Sequence, residues 1–403
     1  MKIIFLADFL PAPNNTAGGL QNYILRVAQN LHALGMEVLV LCTSKVQEEL
    51  YPFPIRRVQV SYKEKKLLKL LQSMTFHKID TSLTLLRDAW AVRRESKKVP
   101  GMDIIQSPNY KFMGLFIDHK KARLVVRASS YRPIWTEETR PSLDTRFISY
   151  LENRLFRRAD HIIAPSRHLA DILRDKVHKE VDVLPTPTPD IFLHEDPEWY
   201  NENLFLKKYI LYFGTILKRK GLFILAEAMK LVWAKEPDVL LVLAGPDLVV
   251  DGKSNYKRFL DIIGAHKNKV IYASNLSQEA LFPVIRKSYF TVSPSIEDNC
   301  PNSMLEAMAL GKVVLGTIGS SMDEFYSPNC VDLLVPRENV QALADKILFL
   351  WNLPQEKINY YGEETRKFVD PNHSMVSAIE KLREYYEQIL SQTSVVFLEN
   401  NIE

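Results

Sequence analysis

Residues 209–233 read Y-I-L-Y-F-G-T-I-L-K-R-K-G-L-F-I-L-A-E-A-M-K-L-V-W. Tyr209 to Phe213 is a short apolar run that predicts a buried strand, and Gly214 to Gly221 follows it as a basic loop. Leu222, Leu225, Ala226, Met229, Val232 and Trp233 then recur at helical spacing. Val239 to Ala244 predicts the next strand, closed by Gly245-Pro246. Strand, glycine loop, helix and strand make a βαβ unit, and open α/β sheets bind ligands at the carboxyl ends of their strands. Later strands are predicted at Val270–Ala273, Phe290–Ser293 and Val313–Gly316, with helical patterns between them.

The same order opens the chain. Ile3 to Ala7 predicts a strand, and Pro11 to Gly19 a loop. Leu20, Tyr23, Ile24, Val27, Ala28, Leu31 and Leu34 form a helical stripe ended by Gly35, before a strand at Val38 to Leu41. Two such halves predict two mostly parallel sheets with helices on both faces. Leu184 to Asp190, L-P-T-P-T-P-D, forbids helix and predicts the hinge. A last amphipathic helix is expected at about Ser374 to Leu390, through Ile379, Leu382, Tyr386 and Ile389, with a poorly ordered tail from Ser391.

Composition narrows the function classes. With 46% apolar and 25% charged residues the chain is globular, and a net charge of +4 does not argue for a nucleic-acid partner. Three scattered cysteines, Cys42, Cys300 and Cys330, argue against a disulfide framework and for a reducing compartment. Asp8 interrupts the first apolar run, which reads as a strand and not as a signal peptide. No apolar run is long enough to span a bilayer. No D-x-D motif or His/Cys cluster has metal-ligand spacing, so no metal is expected.

The chemistry concentrates in residues 293–311, S-P-S-I-E-D-N-C-P-N-S-M-L-E-A-M-A-L-G. Pro301 is expected at the first helical position, which leaves the amides of Asn302 and Ser303 unpaired by the helix and suited to a phosphate. Asp298 precedes that start and Glu306 lies inside an apolar helix, where an acid needs a partner or a ligand. Acids favoured by the helix dipole are the plainer reading. At the helical rise the two would stand roughly 12 Å apart, too far for a glycosidase carboxylate pair. An anion site flanked by two acids suggests a ligand with a diphosphate and sugar hydroxyls.

This stretch resembles the E-x7-E signature of the family 4 glycosyltransferases with the GT-B fold, in the D-N-x-P-N variant of polysaccharide and cell-envelope transferases. The resemblance implies an α/β protein of two Rossmann-like, doubly wound domains facing across a cleft. Residues 1–186 would form the acceptor domain and 187–372 the nucleotide-sugar domain, with 373–403 a helix returning to the N-terminal domain plus a tail. It also implies a retaining enzyme of hexosyltransferase type. Such an enzyme moves sugar from a nucleotide-diphosphate sugar to a saccharide or lipid-linked acceptor in the cytoplasm, without a cofactor. Asp298 takes the place of the acid facing the donor sugar, and Glu306 that of the acid on the ribose. Asn299, Asn302 and Ser303 would line the diphosphate.

Three more segments fit this resemblance. The loop holding Gly214 and Thr215 matches the family's G-R-x4-K-G motif, with Lys220 at the diphosphate-binding lysine, Thr215 in place of its arginine, and Lys218 and Arg219 as nearby cations. Gly18 and Gly19, after Ala17, match the Gly-Gly loop that meets the donor; paired glycines alone are often only a tight turn. After the strand L-V-V-R-A-S-S-Y, 124–131, Ser129 and Ser130 stand near where relatives often carry a histidine, and Arg127 reads as an ion-pair partner. Glu324 resembles the acid of a later loop, though a surface acid reads as well. Tyr62 to Leu71, with Arg93, Arg94, Lys97 and Lys98, gives the N-terminal half a basic character, read either as a solvated helix or as a peripheral contact with the inner face of a membrane. Rival readings are a GT-B protein without transfer activity, a nucleotide-sugar epimerase, and a nicotinamide-dependent dehydrogenase, whose G-x-G-x-x-G is missing.

Overall fold

The computed structural model describes residues 1–11, 18–45, 47–118, 122–132, 141–189, 195–250 and 252–399. Ala17, most of the Pro11–Gly19 loop, Asp190 and the last four residues therefore lie outside the described residues. The chain divides into two compact units, Met1–Pro187 with Ala378–Glu403, and Thr188–Ser377.

In chain order the first unit contains β1 (Lys2–Ala7), α1 (Gly19–Ala33), β2 (Glu37–Cys42), β3 (Ile55–Arg57), α2 (Tyr62–Met74) and α3 (Asp80–Ser96). It continues with β4 (Ile104–Pro108), β5 (Arg123–Arg127), α4 (Leu143–Arg158), β6 (His161–Ala164), α5 (Arg167–Val177) and β7 (Asp182–Val183). The strands form one sheet in the order β3-β2-β1-β4-β5-β6-β7, every neighbour parallel. Ile4, Leu6, Ile105, Leu124, Val126, Leu155 and Phe156 are buried in its core.

The second unit runs α6 (Glu198–Leu204), β8 (Tyr209–Phe213), α7 (Leu222–Lys235), β9 (Leu240–Ala244), a small hairpin of β10 (Val249–Val250) and β11 (Lys253–Ser254), and α8 (Asn255–Ile263). It then has β12 (Val270–Ala273), α9 (Gln278–Lys287), β13 (Phe290–Val292), α10 (Asn302–Ala309), β14 (Val314–Ile318), β15 (Leu334–Pro336), α11 (Val340–Trp351) and α12 (Gln355–His373). Its main sheet, β12-β9-β8-β13-β14-β15, is again all parallel. With the hairpin set aside, both units share one doubly wound strand order, which reverses between the first and fourth strands. Helices on both faces explain why Tyr209, Ile210, Leu211 and Tyr212 are all buried without alternation.

The last helix, α13 (Met375–Glu399), crosses the boundary between the units. It runs to Glu399, past the helix end expected near Leu390, with no glycine or proline between 375 and 399. Ile379, Leu382, Tyr386 and Ile389 are buried. The Tyr386 hydroxyl bonds Gln106 Oε1, and the Tyr385 hydroxyl donates to Asp182 Oδ2 at 2.8 Å, so the helix is fastened to the first unit's sheet.

Candidate active site

In the second unit the strand order reverses between β8 and β13, and the loops leaving their carboxyl ends carry most of the residues singled out above. The loop after β8 begins at Gly214, with a left-handed φ of 120°. A turn at Lys218–Lys220 follows and is closed by Gly221, with φ 74°. A Cβ on Gly221 would lie 1.8 Å from the carbonyl oxygen of Pro294, so both backbone angle and space demand glycine there. This close approach seats the basic turn directly on the loop that leaves β13. Gly245, after β9, has φ 138°, and a Cβ there would stand 2.1 Å from the Gly214 oxygen.

That contact brings Lys220 onto Asp298, and the ammonium and carboxylate form an ion pair. Asp298 is buried. Its Oδ1 accepts the Asn299 amide at 3.0 Å, and Ser295 Oγ donates to Oδ2 at 3.5 Å. The Asp298 carbonyl accepts from the amide of Ser321 at 3.2 Å and from its hydroxyl at 2.9 Å. On the other side the Ile296 amide donates to the Arg219 carbonyl at 2.9 Å, and Thr317 Oγ1 donates to Ser295 O at 2.6 Å. The acid-bearing loop is thus stitched to the basic turn and to β14. Burial, with the Asp298 charge nearby, pushes the Tyr212 phenol above its ordinary value, and its hydroxyl donates to Thr215 O at 3.1 Å.

Helix α10 begins at Asn302, and Pro301 is its N-cap, with φ −73° and ψ 102°. The expected first helical position for Pro301 is corrected by one residue, since its extended ψ keeps it outside the helix. No side chain caps this end, and the first helical bond runs from Leu305 N to Pro301 O at 3.2 Å. The Asn302 and Ser303 amides therefore lie in the turn that makes no helical bonds of its own. Ser303 Oγ stands 3.7 Å from where a Gly214 Cβ would be, so the end of β8 abuts the helix start. Asp298 lies in the non-helical loop, so the helical-rise estimate of its separation from Glu306 does not apply. Glu306 is half-buried on α10, Asn299 is buried, Thr215 is half-buried and Arg219 is exposed. Glu324 falls in the Ser321–Phe325 turn, beside the serine that holds Asp298. Gly18 and Gly19 belong to the first unit, where Gly18 is the N-cap of α1.

Several features of the first unit escaped the sequence reading. At its own reversal point, between β1 and β4, the buried Asp8 carboxylate accepts from Lys111 Nζ and from Gln21 Nε2, each at 3.0 Å. Lys111 holds a left-handed φ of 58° without being glycine. Asn109 donates to Ser130 O at 2.7 Å and to Glu152 Oε1 at 2.6 Å, and its own oxygen accepts the Ser129 amide at 3.0 Å. Glu152 Oε2 accepts the Arg132 amide at 3.1 Å. Burial raises the Glu152 carboxyl to about 7 against those hydrogen bonds. The ion-pair reading of Arg127 is corrected. Its guanidinium lies 3.7 Å over the Tyr23 ring and donates to Thr186 Oγ1 at 2.7 Å, with no ion pair among the described residues. Arg94 and Lys98 are likewise engaged, with Glu64 and Glu95 respectively.

A glycosyl transferases group 1 model matches residues 198–368, and a glycosyltransferase family 4 model matches residues 17–189. Both models describe glycosyltransferases, and together they cover most of the chain. The chain is 26% identical over 234 residues to an uncharacterised glycosyltransferase of Methanocaldococcus jannaschii, covering 57% of its own length and 60% of that protein. Its fold matches sucrose-phosphate synthase from Thermosynechococcus elongatus with a TM-score of 0.76 at 18% identity, over 97% of this chain and all of that one. It also matches HepE from Anabaena, solved with UDP and glucose, with a TM-score of 0.73 at 16% identity, over 96% and 100% of the two chains. At such identities the likeness is one of fold, and that fold is GT-B.

Proposed function

We propose that this chain transfers a hexosyl group, with retention, from a nucleotide-diphosphate sugar to a saccharide or lipid-linked acceptor. The observation that supports this reading best is the convergence of Lys220, Asp298 and the uncapped start of α10 on the reversal point of the second sheet. A diphosphate laid there would meet the Asn302 and Ser303 amides and draw Lys220 away from Asp298. As the bond from the anomeric carbon to the phosphate oxygen breaks, negative charge grows on that oxygen, and preorganised donors stabilise it most. Asp298, released from the lysine, would orient the sugar and support positive charge at its ring. Glu306 would hold ribose hydroxyls. The acceptor hydroxyl attacks the same face of the anomeric carbon and gives its proton to the leaving phosphate, so no protein nucleophile is required. On this reading Asn299, Gly214, Thr215 and Arg219 line the donor, and Gly18 and Gly19 are assigned to donor binding as well.

The reaction needs no cofactor and no metal, and the setting is polysaccharide or cell-envelope glycan synthesis in the cytoplasm, at the inner membrane face. Among the described residues no helix is long and apolar enough to cross a membrane, and no three His, Cys, Asp or Glu side chains could hold a metal ion. The direct experiment is a thermal-shift screen with UDP-, GDP- and ADP-sugars. One nucleotide series should raise the melting temperature by several degrees, since ligand in excess of its dissociation constant stabilises the folded state. No shift with any of them would overturn the donor assignment.

A further inference from the structure

Helix α2 is opened by a capping box, in which Ser61 and Glu64 bond each other's backbone amides. One side of the helix faces α3. Leu68 is buried there, and Glu64, one turn earlier, pairs with Arg94. The other side stands in water. Leu67 is 56% exposed, Leu70 57% and Met74 66%, and their spacing places them on one stripe. Just beyond the helix Phe76 is 81% exposed with a φ of 49°. A bulky aromatic rarely holds a left-handed backbone. Here Phe76 N donates to Ser73 O at 3.1 Å, His77 N to Gln72 O at 3.0 Å, and Lys78 N to Thr75 O at 3.1 Å, and this turn holds the ring out in solvent.

Charge accompanies the apolar stripe. Lys63, Lys65, Lys66, Lys69 and Lys78 stand in this segment against one acid, Glu64. None of these lysines is in an ion pair among the described residues, and Arg94 already neutralises Glu64.

We propose that this face docks the protein on an anionic lipid bilayer. Leu67, Leu70, Met74 and Phe76 enter the acyl boundary, and the lysines lie among acidic headgroups. Charge complementarity selects this occupant. A second copy of the same face would set lysines against lysines, and a nucleic acid would leave the leucine stripe in water. The docking face is separate from the donor site, so each assignment stands or fails alone.

The test is sedimentation of the full chain with vesicles of phosphatidylcholine alone and of equimolar phosphatidylcholine and phosphatidylglycerol. Binding is expected to the second only, and to weaken as salt is added. The triple change Lys63→Glu, Lys66→Glu, Lys69→Glu should lower the partition coefficient by about a hundredfold. Leu67→Ser with Leu70→Ser and Met74→Ser should lower it by about tenfold or more. Both variants alter only exposed side chains and should keep the parent's melting temperature. Absence of binding, binding indifferent to phosphatidylglycerol, or variants that bind as well as the parent would overturn the proposal. So would a concentration-dependent dimer abolished by the serine variant when the parent ignores vesicles, since a second copy would then be the occupant.

Discussion

Both units set a lysine–aspartate pair at the reversal point of the same sheet order, but with opposite connectivity. In the first unit the acid, Asp8, follows the first strand and the lysine, Lys111, follows the fourth. In the second, Lys220 follows the first strand and Asp298 the fourth. The surroundings differ as well. Asp8 is also held by Gln21, and a left-handed lysine makes the turn. Around Lys220 the turns are made by Gly214, Gly221 and Gly245, and an uncapped helix begins alongside. One frame therefore yields a closed polar lock in one unit and, in the other, a cation and helix amides where an anion can come close. The sheet order supplies the place, and the loops supply the chemistry.

The two units should differ most at their lysines. Lys220→Ala should lower kcat/KM for transfer by about 10²–10³-fold, the usual cost of one preorganised donor. Lys111→Ala should leave nucleotide affinity within about twofold, because its carboxylate partner offers an anion nothing. Equal losses of nucleotide affinity in both variants would erase the distinction.

The next effect is on stability. Gly221→Ala meets both a left-handed backbone and the Pro294 carbonyl, and should cost about 3 kcal/mol in urea unfolding. Gly18→Ala meets only the movable tip of Gln21, 2.9 Å away, and should cost less than about 1 kcal/mol.

A pH effect confined to the first unit follows from Glu152. Burial raises its carboxyl to about 7 in the folded chain from the ordinary glutamate value of 4.5. The stabilisation of its protonated form is fully present below that lower value and is lost as pH rises through about 7. The loss is on the order of 3 kcal/mol at most. Melting temperatures measured from pH 4 to 8 should therefore fall more steeply for the parent than for Glu152→Gln, which cannot ionise. Parallel curves would place the carboxyl in its ordinary range.

Much of the second unit was legible because its strands are unbroken apolar runs bounded by glycine and proline. Tyr209–Phe213 and Val270–Ala273 are strands over the residues expected. The short strands β3, β7 and β15, of two or three residues, have too little pattern to read. Lys220 and Asp298 were each visible from their motifs. Their pairing depends on the Gly221–Pro294 approach, which joins segments distant in sequence. The Asp8–Lys111 pair and the Asn109–Glu152 contact had no such motif to announce them. Arg127 was read with the wrong kind of partner, because a sequence displays charges but not the ring that covers one. Pro301 was placed one residue too far in, since its fixed φ suits both the cap and the first helical turn.

A nucleoside diphosphate is proposed to rest on the start of α10, with Glu306 on its ribose. Calorimetric titration of the nucleoside diphosphate selected by the thermal-shift screen, into the parent and into Glu306→Ala, tests this most directly. Binding to the parent and about tenfold weaker binding to the variant are expected, with the fold unchanged. Equal affinity for the two proteins would contradict it.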